Sequence, residues 1–141
     1  MDFKECEEKR VIKRVKADFE LCKSLQKSSE KKFSSAKLLE MNETTAASII
    51  TLFYDSLREL LEALAIKNGY KIYNHECYAA FLSSILGEEE CAKSFDSLRK
   101  LRNGINYYGQ EISVNDAKAV SEDIAKLIKK CRSLLFETGK E

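Results

Sequence analysis

The sequence predicts an all-α fold, a single antiparallel bundle of about five helices. None of its 141 residues is proline and five are glycine, so few residues would interrupt a helix. Apolar residues recur at three- and four-residue steps along most of the chain, the spacing of one helix face. No alternating strand pattern, internal repeat or linker divides the chain. We therefore expect residues 1–141 to form one helical domain.

The first 41 residues are predicted to be helical. The pattern favours an amphipathic helix over about residues 3–27. Its apolar face carries Ile12, Val15, Phe19, Cys22 and Leu25. Ser28 and Ser29 could end it and begin a second piece that runs to about Met41. The pattern leaves open whether this region forms two helices or one long bent helix.

The segment 42–68 carries the strongest helix signal. Asn42, Thr44 and Thr45 are candidate N-caps, and Gly69 is the expected C-terminal stop. Apolar side chains cover much of the circumference between them: Ala46, Ile49, Ile50, Phe53, Tyr54, Leu57, Leu60, Leu61, Leu64 and Ala65. A helix this apolar lies at the centre of a bundle, is shared with a partner, or both. We therefore also predict a homodimer.

Two shorter helical segments are expected next. After a link at 69–73, Asn74 is predicted to cap a helix that runs through Leu86. The acidic run 88–90 begins the following helix, because negative charge suits the positive end of the helix dipole. Gly109 is the predicted end of that helix.

The last predicted helix begins at Ser113, where Asp116 follows three residues later in a capping pattern. Its apolar face carries Val120, Ile124, Leu127, Cys131 and Leu134. Because the links between helices are short, neighbouring helices are expected to pack antiparallel.

Composition restricts the class of protein. No apolar run approaches the ~20 residues that cross a bilayer, and residues 1–5 do not resemble a signal peptide. We expect a soluble, cytoplasmic protein without membrane contact. The net charge of +1 argues against a strongly basic nucleic-acid binder. The cationic run 9–16 is expected to be a solvated helix face, or an aid in placing a phosphate backbone.

The cysteines and the single histidine give no metal-site pattern. The five cysteines are widely spaced and odd in number, which predicts reduced thiols buried in the core. His75 and Cys77 could supply two metal ligands, but no other residues complete a tetrahedral set. We expect no metal and no cofactor, and we expect His75 to be a capping or surface residue.

The most informative segment is 98–109, because an arginine interrupts its apolar face. On a helix Arg102 falls between Leu98 and Phe95 in the apolar arc. Its guanidinium must pair with a core carboxylate such as Asp55 or Glu59, or lie where the arc opens onto a cleft or second subunit.

Helix geometry sorts the neighbours of Arg102. Asn106 lies about 40° from it and could orient the guanidinium or a bound phosphate. Tyr107 points about 140° away, and Tyr108 returns toward the core. Gly104 costs about 1 kcal/mol relative to Ala in a helix, so we expect another helix to approach closely there.

These residues resemble the HEPN family of small helical proteins. The family has an Arg-polar-x(3–5)-His motif near the end of its bundle. Arg102-Asn103 matches the start of that motif, and Tyr107 stands in the place of the histidine. The segments 54–64 and 74–76 resemble the middle of the family, so the resemblance covers about residues 44–110.

The resemblance implies specific partners and sites. HEPN protomers commonly pack their motif helices together and form a metal-independent RNase site. Other members are non-catalytic, or are partners of small nucleotidyltransferases in toxin–antitoxin pairs. By this resemblance Arg102 and Tyr107 are the candidate catalytic residues. Arg102, Asn103 and Asn106 would contact RNA or a nucleotide, and Tyr107 or Tyr108 would be the tyrosine that such an enzyme adenylylates.

The chemistry of RNA cleavage bears on the choice among these functions. Cleavage without a metal needs a base, an acid and a cation that stabilises the phosphorane. Arg102 suits the last role, but a tyrosine, with an ordinary pKa of about 10, is a poor base at pH 7. We therefore favour a nucleotidyltransferase-associated protein that is weak or inactive as an RNase. The alternatives are an active homodimeric RNase using Arg102 and Tyr107, and a structural, protein-binding bundle.

Overall fold

The computed structural model describes residues 1–137 and confirms the all-α prediction. The described chain holds six helices, one more than expected: α1 (Phe3–Glu8), α2 (Phe19–Leu38), α3 (Ala46–Lys67), α4 (Cys77–Ser84), α5 (Glu89–Tyr108) and α6 (Val114–Glu137). Two short strands accompany them, β1 (Ile12–Arg14) and β2 (Tyr70–Ile72). No helix within the described range is both long and apolar enough to span a membrane.

Helix α3 is the centre of the fold. It packs against α2, α5, α6 and β2, and Leu57, Leu61 and Leu64 on it are completely buried. Asn42 Oδ1 accepts hydrogen bonds from the backbone N–H groups of Thr44 and Thr45 just before its first turn. The central position was predicted. However, the chain's own elements cover the apolar surface from which we argued for a homodimer, so that argument fails.

The predicted helix over residues 3–27 is wrong. Helix α1 ends at Glu8, Arg10 takes the left-handed conformation (φ 58°), and β1 then pairs antiparallel with β2. Ile12 lies opposite Ile72 in this pair, and both are buried. Ile12 is therefore a core residue, but it belongs to a strand and not to the predicted helix.

Helix α2 begins later than predicted and runs without a break through the serine pair. Asp18 Oδ1 accepts a hydrogen bond from the backbone N–H of Leu21 and caps the helix. Ser29 is buried against α3: its Oγ donates to the backbone oxygen of Ser56 at 2.7 Å, and Ser56 Oγ donates to the backbone oxygen of Ser29 at 2.8 Å. The region 1–41 thus contains one long helix, which the serines attach to α3.

The cationic run 9–16 does not form a helix face. Lys13 and Arg14 are exposed on β1, and their cationic groups lie 5.5 and 5.2 Å from the ring centroids of Tyr73 and Tyr70. Cation–π contacts of this kind stabilise a charge beside an aromatic face. These cationic side chains therefore lie on the exposed surface of the strand pair.

The prediction of five reduced cysteines is also wrong. Cys6 of α1 and Cys77 of α4 form a disulfide, with Cα atoms 6.2 Å apart. Cys22, Cys91 and Cys131 are free and buried. The disulfide attaches the N-terminal helix to the start of α4.

The remaining helix ends follow their predicted caps more closely. Helix α4 is shorter than expected, and Asn74 Oδ1 accepts a hydrogen bond from the backbone N–H of Glu76 ahead of it. Gly109 (φ 63°) ends α5, and Ser113 Oγ accepts from the backbone N–H of Asp116 at the start of α6. These turns place the C-terminal half of α5 beside α3, where the candidate site lies.

Candidate functional site

Arg102 lies between α3 and α5 with 15% of its side chain exposed. Its Cζ is 5.3 Å from the ring centroid of Tyr54 on α3 and 5.8 Å from that of Tyr107 on its own helix. The guanidinium is therefore held between one buried and one exposed aromatic ring. This agrees with the sequence prediction that Arg102 does not simply face water.

The polar partners of Arg102 are few and distant. Nη2 is 3.6 Å from Asp55 Oδ1, and Nη1 donates to Tyr107 Oη at 3.4 Å. Nε is buried and finds no hydrogen-bond partner among the described residues. A guanidinium has five N–H donors, so much of its donor capacity is unused. Of the two carboxylates considered as partners, Asp55 is the one found, while Glu59 pairs with Lys32 at 3.1 Å.

Tyr54 is a second incompletely satisfied group. Its side chain is fully buried and stacks on Phe95 with ring centroids 5.8 Å apart. Its hydroxyl is buried and finds no hydrogen-bond partner in the described chain. Burial raises the pKa of Tyr54 to about 12, although the charge of Arg102 acts in the opposite direction. At neutral pH the hydroxyl therefore remains a donor with nothing to receive its proton.

His75 comes close to this pair, which the sequence did not indicate. Its ring centroid lies 6.4 Å from that of Tyr54 and 6.0 Å from that of Tyr78. Partial removal of the ring from water, followed by the charges of Arg58 and Arg102, lowers the pKa of His75. The imidazole is therefore neutral at pH 7. The capping role falls to its neighbour Asn74, and His75 itself stays exposed.

Asn106 also lies at the α3–α5 boundary. Thr51 Oγ1 on α3 donates to Asn106 Oδ1 at 3.3 Å. Beside this bond an open groove of about 670 Å³ is lined by residues of both helices: Ala47, Ser48, Thr51, Leu52, Ile105, Asn106 and Tyr107. Asn103 is half-buried. Asn106 therefore bonds to Thr51, whereas the sequence suggested that it could orient Arg102 or a bound phosphate; the second of these roles stays a prediction.

Helix geometry did not anticipate the contact of Tyr107 with Arg102, and its prediction for Tyr108 is wrong. Tyr107 contacts Arg102 even though its Cα–Cβ direction was expected to point away, because both side chains are long enough to meet outside the helix. Tyr108, predicted to return toward the core, is 84% exposed. The motif tyrosines therefore lie on the surface.

Gly104 is not approached by another helix. A Cβ at this position would collide with the side-chain oxygen of Gln110, and the backbone N–H of Gln110 donates to the oxygen of Gly104 at 3.0 Å. The chain folds back over its own helix here. A close neighbour of Gly104 was predicted correctly, but the neighbour is Gln110 and not another helix.

The arrangement is suited to an anion. A guanidinium matches the oxygens of a phosphate, and a neutral tyrosine hydroxyl can donate to one of them. Asp55 opposes binding, because its carboxylate competes for the same cation. Within the described residues no group of three or more metal-ligating side chains is found, and Cys77 is held in its disulfide.

The sequence pointed to Arg102 and the motif residues, whereas Tyr54 and His75 join them only through tertiary packing. A polar aromatic within the apolar face of α3 was the signal available for Tyr54. Comparisons with family models, with curated proteins and with solved structures find no match to this chain.

Proposed function

We propose that this chain is a HEPN-like component of a nucleotidyltransferase-associated system, of toxin–antitoxin or defence type. An RNA- or nucleotide-facing groove around Arg102 is its functional surface. The observation that carries the proposal is the pair of buried donors without partners, Arg102 Nε and Tyr54 Oη. The HEPN resemblance of residues 44–110 adds the expectation that the ligand carries phosphate.

The energetics favour an anionic ligand at this position. A buried cation is costly unless it is paired and hydrogen-bonded. The separation of 3.6 Å between Arg102 Nη2 and Asp55 Oδ1 exceeds ordinary hydrogen-bond length. Because both atoms are buried, a phosphate oxygen would reach them only after a covering side chain such as Tyr107 moved aside. It would then remove the cost of both unpaired groups.

Partner contacts in this proposal use the exposed motif tyrosines. Tyr107 and Tyr108 are 68% and 84% exposed, so a nucleotidyltransferase could reach either hydroxyl. The proposal includes a homodimer that uses the α3–α5 groove, since the rest of α3 is covered. A cytoplasmic location belongs to the same proposal, because RNA and nucleotides would be its ligands, whereas the Cys6–Cys77 disulfide is a bond typical of oxidising compartments.

A second candidate function is an active homodimeric RNase using Arg102 and Tyr107. The observation that favours it is the contact between Arg102 Nη1 and Tyr107 Oη at 3.4 Å. This contact links the cation to a hydroxyl at the site. We rank the function second, because general acid–base help typically contributes 10²–10⁴-fold to such a reaction and the motif histidine is replaced.

The test is binding of a fluorescent single-stranded oligouridylate, measured by anisotropy. Arg102→Ala should weaken binding about 10- to 100-fold, because a hydrogen-bonded charge contributes about 1.5–3 kcal/mol. Arg132→Ala is the matched control, since Arg132 lies on α6 over the ring of Phe33. Equal effects of the two substitutions would contradict the proposal.

The same preparation distinguishes the two functions. In the presence of a chelator, the favoured function predicts little or no cleavage of the RNA. Cleavage that is lost in both Arg102→Ala and Tyr107→Phe would establish the second function instead.

A further inference from the structure

The single histidine of the sequence stands beside the two unpaired donors. The guanidinium carbon of Arg102 and the ring of His75 lie 5.3 and 6.4 Å from the ring centroid of Tyr54. They approach it from different elements, Arg102 from α5 and His75 from the turn before α4. No hydrogen bond or ion pair of the described residues involves the imidazole, and His75 is exposed. A ligand can therefore reach it.

The backbone of the turn, and not the imidazole, holds His75 in place. On one side the N–H of Tyr73 donates to the oxygen of Val11 at 2.8 Å. On the other side Cys77 is bonded to Cys6, and Asn74 caps the turn between them. The imidazole is thus positioned without being used, which leaves both ring nitrogens available to a ligand.

We propose that His75 is a further ligand-contacting residue of the Arg102 site, and that it takes up a proton when a phosphodiester binds there. This inference rests on the proposed function, since it concerns the same site and the same class of ligand. Under this proposal His75, in the turn before α4, supplies a group that titrates near neutral pH. The motif of α5 lacks such a group, because Tyr107 stands in the place of its histidine.

The charges around His75 explain why proton uptake accompanies binding. The titratable and charged groups near it come from three elements: Tyr54, Asp55 and Arg58 of α3, Arg99 and Arg102 of α5, Tyr78 of α4, and its neighbour Glu76. Partial removal of the ring from water and the three arginines lower the pKa of His75, and Asp55 raises it. A phosphodiester at Arg102 adds negative charge beside the ring and so raises the pKa.

Linkage then fixes the direction of the pH dependence. The bound state holds His75 protonated at a higher pH than the free state does. Lowering the pH through the free-state pKa must therefore tighten binding. One unit of pKa difference corresponds to a tenfold change in affinity. Oligouridylate without a terminal phosphate is a suitable probe, because neither its phosphodiesters nor its bases titrate between pH 5 and 8.

The first measurement is the affinity for this oligouridylate between pH 8 and pH 5. The wild-type protein should bind about tenfold more tightly at the acidic end. His75→Gln should remove most of that gain, so that its affinity changes little between pH 8 and pH 5. Circular dichroism melts of both proteins verify that the fold is retained.

The second measurement is NMR titration of the imidazole, which gives one unambiguous signal because the chain has a single histidine. Adding oligouridylate should raise the pKa of His75. In the absence of RNA, Arg102→Gln should also raise it, since a neighbouring positive charge is removed, while Arg132→Gln should not.

The outcomes separate the two hypotheses. Binding that depends on Arg102 but has the same pH profile in wild type and His75→Gln overturns the role of His75 and leaves the proposed function standing. Failure of the wild-type protein to bind oligouridylate, or equal binding by Arg102→Ala and Arg132→Ala, overturns both. A pKa of His75 that Arg102→Gln leaves unchanged overturns the role of His75 whatever the binding data show.

Discussion

The two halves of α3 differ in burial and in chemistry. In its second half Leu57, Leu61 and Leu64 are completely enclosed by apolar neighbours, and each side chain gains free energy by leaving water. Near its first half Tyr54 is just as buried, yet it carries a hydroxyl without a partner. Burial alone therefore does not distinguish core from site. Unpaired polar atoms mark the site only where two of them meet, since Ser121 of α6 also carries a buried hydroxyl without a partner in the described chain. One helix supplies stability at one end and a candidate binding surface at the other.

The largest expected effect is on the core end of this comparison. Leu61→Ala should lower the free energy of unfolding by about 2–5 kcal/mol, because it removes buried methyl groups and leaves a cavity. Leu52→Ala, at the half-buried groove end of the same helix, should lower it by less than about 1 kcal/mol. Urea denaturation followed by circular dichroism measures both. Similar losses would show that the two ends contribute alike.

Reduction of the disulfide should have the next largest effect on stability. The bond joins α1 to the start of α4, next to the turn that carries His75. It joins residues 71 positions apart, so its reduction should lower the free energy of unfolding by about 2–4 kcal/mol. Urea denaturation with and without dithiothreitol measures this change. A Cys6→Ser, Cys77→Ser double variant is the control, since its stability should not respond to the reductant. A wild-type protein equally indifferent to dithiothreitol would contradict the expectation.

Tyr54→Phe should separate stability from binding. It removes a buried hydroxyl that has no partner, so we expect the free energy of unfolding to rise by about 1 kcal/mol and oligouridylate binding to weaken. The folded-state pKa of Tyr54 is raised to about 12. Between pH 10 and pH 12 the tyrosine therefore ionises in the unfolded chain but not in the folded one. This difference lowers the free energy of unfolding of the wild type as the pH rises above 10. The stability advantage of Tyr54→Phe should therefore widen above pH 10, and a constant difference would show that the hydroxyl does not titrate as described.

Asp55→Asn should have the smallest effect on stability and act in the opposite direction on binding. The carboxylate competes with a phosphate for Arg102, and such partly exposed ion pairs contribute about 0–1 kcal/mol. We expect binding of oligouridylate to tighten about two- to fivefold. Asp123→Asn makes the same change in net charge on an exposed residue of α6. Equal tightening in both variants would indicate a general charge effect instead of release of Arg102.

Helix ends that depend on local chemistry were predictable. Asn42, Gly69, Gly109 and Ser113 mark the bounds of α3, α5 and α6 close to their observed positions, because caps act on the adjacent turn. By contrast, β1 forms only because β2 lies beside it, far along the chain. The helical spacing of Ile12 and Val15 could not reveal that pairing. Cysteine spacing likewise does not determine which cysteines bond.

The candidate site divides in the same way. Arg102 stands out in the sequence because a charge interrupts an apolar arc, which is a local signal. Its contact with Tyr107 was missed because angular position on a helix ignores side-chain length. The approach of His75 to Tyr54 depends on how the turn before α4 is held against α3, and no periodicity within either segment encodes it.

The paired serines of α2 and α3 have a consequence for how α2 is aligned. The buried residues of α2 are small: Cys22, Ser29 and Ala36. Small side chains allow close approach but offer little resistance to sliding along the helix axis. A slip of one turn would strand both hydroxyls in apolar surroundings, at about 1–3 kcal/mol for each. These two hydroxyls, together with the contact between the rings of Phe33 and Phe53, favour one longitudinal alignment of α2 on α3.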